Sequence, residues 1–199
     1  MRFALAGHAV AIGSRSAERG AEAAAKVRER VPAAAASGGE NGEVVADAEV
    51  VFLTFPYEGQ EATLRAIGHR LDGKIVCDVV APLRFEKGRG AVAVDVPGHS
   101  AAEEAAALLP NARVVSAFQN LSAEKLQEVD RPLDCDVLVC GDDREAKEIV
   151  IGLANQIAGV RGLDGGALFN SRYVEMLTAL LINLNRRYKT QTSIRIVGV

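Results

Sequence analysis

Ser14, Arg15 and Arg19 are the residues whose types and spacing best suit chemistry. They lie in AVAIGSRSAER, where Ala9-Val10-Ala11-Ile12-Gly13 reads as a buried strand and Ser16 as the cap of the next helix. A hydroxyl and two guanidinium groups at a strand end can grip a phosphate through charge-assisted hydrogen bonds. An acidic residue there would instead bind free ribose hydroxyls. None is present, so the pattern points to a dinucleotide phosphorylated on its adenosine ribose, NADP. A solvated turn with ordinary surface arginines is the plain alternative.

Two later strand ends carry flat or small groups. Thr54-Phe55-Pro56-Tyr57 closes one apolar run, and Val80-Ala81-Pro82-Leu83 closes another. Pro56, Tyr57, Ala81 and Pro82 suit contact with a nicotinamide ring, although prolines also simply terminate strands. Phe118-Gln119-Asn120 sits in the equivalent place and adds two amides able to hydrogen-bond a ring carbonyl. The three histidines lack acidic or metal-ligand company, so no metal site is expected. Arg186-Arg187-Tyr188-Lys189 closes a helix, where the dipole favours cations. No nucleophile, base and orienting group assemble into a set. That fits direct hydride transfer between two bound cofactors, or a protein without catalysis.

Gly88-Arg89-Gly90-Ala91-Val92-Ala93 matches G-x-G-x-x-A, but the fingerprint has meaning only between a strand and a helix. Here extended sequence follows, which gives a loop and a short strand instead.

The elements that must position these residues alternate along the chain. Continuous apolar runs at Val50–Phe55, Lys74–Val80, Arg113–Phe118 and Asp136–Cys140 alternate with helical stretches, which implies a parallel sheet covered on both faces. Ser37-Gly38-Gly39 reads as a turn. Leu168–Tyr188 is the longest apolar helix, and a second copy of the chain is one candidate to bury it. At 199 residues and net charge −3, nothing suggests a general grip on nucleic acid or an anionic membrane. No apolar run reaches the roughly 18 residues that span a bilayer. Three cysteines, an odd number, suit reduced thiols in a cytoplasm.

The residues resemble those of the NADPH-dependent reductases of the deazaflavin coenzyme F-420. The matching stretches include AGHAVAIGSR, VVFLTFPYEG, VPGHSAAE, VVSAFQNLSA and LTALLINLNRRYKTQTSIRI, in family order over nearly the whole chain. The resemblance implies a Rossmann-like doubly wound parallel sheet, here N-terminally truncated, over residues 1–117. A smaller, mainly helical C-terminal domain over 118–199 would carry the deazaflavin site and a homodimer contact. It further implies that Ser14, Arg15 and Arg19 hold the 2′-phosphate of NADP, and that Pro56, Tyr57, Ala81 and Pro82 line the nicotinamide site. Gln119, Asn120 and Ala123 would face the stacked rings of NADP and coenzyme F-420. Gln119 stands where the family often has histidine.

The family pattern opens with a strand, a glycine-rich loop and a helix running into A-G-H. MRFALAG matches either that first strand or the end of that helix. A parallel strand pair needs a crossover of roughly 10 residues or more, and Gly7-His8 offers almost none. The helix alternative is therefore preferred, with Gly7 as its C-terminal cap. Neither alternative supplies the phosphate loop. Two exposed strand edges and weak NADP binding are the expected consequences. An NADP oxidoreductase with another acceptor and a non-catalytic dimer stand as further alternatives.

Overall fold

The structure, a computed structural model, describes residues 1–199. It begins α1 (Arg2–Leu5), β1 (Val10–Ser14), α2 (Ala17–Arg30), β2 (Ala36–Glu40), α3 (Asn41–Val44) and β3 (Val50–Leu53). Then come α4 (Gln60–Ile67), β4 (Ile75–Asp78), β5 (Leu83–Glu86), β6 (Gly90–Ala93), α5 (Ala101–Leu108) and β7 (Arg113–Ser116). The chain finishes with α6 (Ala123–Gln127), β8 (Cys135–Gly141), α7 (Arg144–Asn155), β9 (Val160–Asp164) and α8 (Ser171–Tyr188).

The opening residues are helical, and a Schellman closure ends the helix. The Gly7 N–H bonds the Ala4 carbonyl at 3.1 Å and the His8 N–H bonds the Phe3 carbonyl at 3.0 Å. Gly7 takes φ 93°, a conformation glycine adopts without penalty. Phe3 then packs on Phe52 and Phe118, with ring centroids 5.2 and 6.1 Å away. Arg2 is buried and donates to the carbonyls of Lys125, Leu126 and Glu128 at the end of α6. That satisfies acceptors a helix end otherwise leaves open.

The turn expected at Ser37-Gly38-Gly39 is instead strand β2, paired in parallel with β1 from Val10↔Ala36 to Ser14↔Glu40. Its glycines serve close packing rather than reversal of the chain. A Cβ on Gly38 would lie 2.0 Å from the Gly20 carbonyl oxygen, and one on Gly20 would lie 2.4 Å from the Gly39 oxygen. Helix α2 therefore sits directly on the β2 backbone.

The main sheet has the order β3-β4-β7-β8-β9. It is parallel except at β7–β8, where Val115↔Gly141 and Ser116↔Cys140 pair antiparallel. The sheet is therefore parallel-dominated, as the alternating apolar runs imply, with one antiparallel step. Sheet bonding thus continues across residue 117, from β7 into β8. Strand β9 escaped notice in the sequence because Arg161 and Gly162 interrupt its apolar pattern. Strands β1 and β2 bond only to each other, so β1 and β3 each keep one unpaired edge.

Alternation along β4 explains its unbroken apolar run. Val76 enters a core on the α4–α5 side with Leu64, Leu71 and Ala105. Ile75 and Cys77 enter a second core on the α7 side with Val115, Val137 and Val150. All three cysteines are buried and free. The G-x-G-x-x-A segment forms the β5–β6 hairpin, with Gly88 and Gly90 at φ 84° and 86°. No helix of the structure is long and apolar enough to cross a membrane.

Candidate functional site

An open α/β sheet presents ligand-binding groups at the carboxyl ends of its strands. Ser14 is the last residue of β1, and Ser16 caps α2 by accepting from the Arg19 N–H. Arg15 and Arg19 are exposed at this edge. The eleven salt bridges of the molecule involve neither. Two uncommitted guanidinium groups beside a strand end fit a phosphate well. One carboxylate is near in register, because β2 ends on Glu40 opposite Ser14.

Pro56 is exposed after β3, and Tyr57 is half-buried against the α4–α5 core. The Tyr57 hydroxyl donates to Glu104 Oε2 at 2.8 Å. Burial and that hydrogen bond push the phenol up to about 12. Its hydroxyl is therefore committed to α5. After β4, Ala81 is half-buried and Pro82 buried. The Pro82 carbonyl accepts from the Val94 N–H at 3.0 Å, which closes the base of the hairpin.

Phe118 departs from β7 at φ 73°. A bulky residue in the left-handed region is costly and marks a functional site or a strongly constrained corner. The next two residues are buried amides. Gln119 donates to the Asp78 carbonyl at 3.1 Å and to Ser116 Oγ at 2.7 Å. Asn120 donates to the Asp136 carbonyl at 2.7 Å and to Ser193 Oγ at 3.2 Å. Both side-chain donors are spent on the fold, so the reading of these amides as donors to a ring carbonyl is corrected. Gln119 Oε1 and Asn120 Oδ1 are buried acceptors without a protein partner. What they offer a ligand is a place for an N–H or O–H. Ala123 is exposed at the first turn of α6.

Two acids escaped the sequence reading. Asp78 ends β4 without exposed surface and is pushed up to about 7 by burial, with Glu104 adding to the rise. Its Oδ1 accepts from the Val80 N–H at 2.7 Å, and its Oδ2 has no partner. Glu175 is buried on α8 and accepts from the Ala101 and Ala102 N–H groups at the start of α5. Burial raises it to about 8 against the lowering effect of those donors. A lone acid inside KIVCDVV, and another on an apolar helix, were the available signals. Around them Ser100 bonds Ser171 at 2.9 Å, and Arg172 reaches Glu103 at 2.7 Å.

The site residues thus fall in two groups. Tyr57, Pro82, Gln119 and Asn120 follow strands of the five-stranded sheet, while Ser14 ends β1 of the β1–β2 pair and Arg15 and Arg19 follow it. The residues present fit the phosphorylated ribose of NADP through free guanidinium groups, and amide-bearing rings through buried acceptors. No G-x-G-x-x-G turn joins a strand to a helix anywhere in the sequence.

Strand order and crossover helices define an α/β protein with a Rossmann-like fold. The family described as NADP oxidoreductase coenzyme F420-dependent matches residues 1–82. The chain belongs to the F420-dependent NADP reductase family. The F420-dependent NADP reductase of Methanocaldococcus jannaschii is 43% identical over 196 residues, covering 96% of this chain and 88% of its own. That of Methanothermobacter thermautotrophicus is 42% identical over 205 residues, covering 100% and 88%. Among solved structures, a provisionally assigned F420-dependent NADP reductase from Arthrobacter sp. FB24 superposes with TM-score 0.84 at 26% identity. That superposition covers 99% of this chain and 92% of the other.

Proposed function

We propose that this chain transfers a hydride between NADP(H) and the deazaflavin coenzyme F-420. The observation that carries the reading is the pair of uncommitted guanidinium groups, Arg15 and Arg19, at the end of β1 in a chain of this family. The nicotinamide and deazaflavin rings supply the redox chemistry when bound, and the protein supplies position. Ser14, Arg15 and Arg19 hold the 2′-phosphate. Pro56, the Tyr57 ring, Ala81 and Pro82 line the nicotinamide. Gln119 and Asn120 offer their unpartnered oxygens to ring or amide N–H groups, and Ala123 leaves room at the start of α6. Residues 1–117 form the NADP side and 118–199 the deazaflavin side.

Loss of the oxidised deazaflavin absorbance on mixing with NADPH is the expected result. No loss, with an intact fold by circular dichroism, would overturn the reading.

The chain also works as a homodimer through α8. Phe169, Tyr173, Met176 and Leu180, at helical spacing, are 50%, 59%, 53% and 54% exposed. Light scattering is expected to give a dimer, and Met176→Glu with Leu180→Glu a monomer. The buried free thiols support a reducing, cytoplasmic setting.

A further inference from the structure

We infer that the β5–β6 hairpin and the end of α8 together form an anion-binding site. It takes a phosphate or carboxylate group carried on a flexible tail of the substrate whose ring occupies the cleft. This rests on the cleft reading above and extends it to the part of the ligand outside the cleft.

The hairpin is built onto the site and not merely near it. Strand β5 starts one residue after Pro82, and β6 returns to bond the Pro82 carbonyl through the Val94 N–H. Its four-residue strands place the tip about 13 Å from that base at ~3.4 Å per residue. The hairpin segment Arg84-Phe85-Glu86-Lys87-Gly88-Arg89 carries three cations and one acid, with Lys87 and Arg89 at the tip. Glu86 bonds Arg84 at 2.8 Å and Arg89 at 3.3 Å, yet the two arginine side chains stay 57% and 77% exposed. Lys87 has no carboxylate partner among the salt bridges of the molecule.

Helix α8 fixes the hairpin in place and adds a fourth cation. Asn183 pairs with the backbone of Ala91 in both directions, accepting at 2.9 Å and donating at 2.8 Å. Gly90 lies so close beneath that an added Cβ would stand 2.8 Å from Arg186 Nη1. The Arg186 guanidinium therefore sits over the hairpin, and it too lacks a salt bridge. The helix dipole accounts for a cation at the end of α8. It does not account for three more on a separate hairpin held against that end. In a chain of net charge −3, such local concentration attracts anions that the rest of the surface repels.

Two anionic sources share this chemistry: the phosphates of the dinucleotide, and an acidic tail on the deazaflavin. The hairpin leaves the β4 end, whereas the free guanidinium groups for the dinucleotide phosphate are on the β1–β2 pair. The deazaflavin tail is therefore the assigned occupant.

The full chain and a Lys87→Ser, Arg89→Ser, Arg186→Ser variant are titrated with coenzyme F-420, with a ribityl deazaflavin lacking acidic groups, and with NADPH. Each titration is run at low and at raised salt. The unaltered chain is expected to prefer coenzyme F-420 over the ribityl compound on the order of tenfold at low salt, falling as salt screens the cations. The variant loses that preference while its affinity for the ribityl compound and NADPH stays unchanged. Equal losses for both deazaflavins, loss for NADPH alone, or no loss at all would each overturn the assignment. Should neither deazaflavin bind the unaltered chain, the cleft reading fails, and tripolyphosphate titration then decides the anion site separately. Salt-sensitive binding that the variant loses sustains it, and its absence overturns it.

Discussion

Glu175 on α8 accepts the backbone N–H of Ala101 at 2.8 Å and so closes the first turn of α5 from another part of the chain. One carboxyl joins the long C-terminal helix to the sheet domain. Glu175→Ala is expected to cost about 1–3 kcal/mol, because two helix-start donors lose their acceptor in a buried setting. Urea denaturation at pH 6.5 measures it. An unchanged midpoint would show that Glu175 does not hold the two helices together.

Stability should fall as pH rises from about 4 to about 8, and Asp78 is one cause. The folded protein raises this carboxyl from 3.8 to about 7, and Glu175 from 4.5 to about 8. Between those values the folded state holds protons that the unfolded state has released. Stability from these groups is therefore full below about pH 4 and is lost progressively as pH rises to about 8. Asp78→Asn keeps an acceptor for the Val80 N–H and removes the charge. It should raise the melting temperature relative to the unaltered chain at pH 8.5, with little effect at pH 5. Parallel melting curves across pH would show no such divergence if Asp78 ionised normally.

Removing Arg15 and Arg19 should cost binding of the phosphorylated dinucleotide specifically. Charge-assisted hydrogen bonds are worth about 1.5–3 kcal/mol each, so Arg15→Ser should raise the NADPH KM by roughly tenfold to a hundredfold. The KM for NADH should stay nearly constant. Equal changes for both dinucleotides would place the arginine elsewhere than on the 2′-phosphate.

Gly38→Ala tests the packing of α2 on β2. The added methyl would meet the Gly20 carbonyl at 2.0 Å, and backbone rather than a movable side chain stands in its way. A loss of about 1–3 kcal/mol is expected, read as a lower urea midpoint. Gly73→Ala, at φ 74° with open space around it, reports the cost of backbone strain without a clash.

The positions of several candidate residues were visible in the sequence. Ser16 as a cap, Ser14, Arg15 and Arg19 at a strand end, and prolines after β3 and β4 are local features with local causes. The amides of Gln119 and Asn120 were found, but their donors proved to be spent on Asp78, Ser116, Asp136 and Ser193. Those partners lie up to 73 positions away, beyond what spacing can indicate. The same distance hid Glu175, whose acceptor role depends on a helix start 74 residues earlier.

The sequence by itself determined which segments are apolar, where helices start and that Ser14, Arg15 and Arg19 gather at one strand end, because these follow from side chains a few residues apart. The glycines of β2 were misread because composition cannot distinguish a turn from two backbones in contact. The antiparallel step at β7–β8, the two unpaired edges, the burial of Asp78 and Glu175, and the hairpin held against α8 were decided only by tertiary structure. Each depends on which distant surfaces meet, and on how burial there outweighs the ordinary preference of a charged group for water.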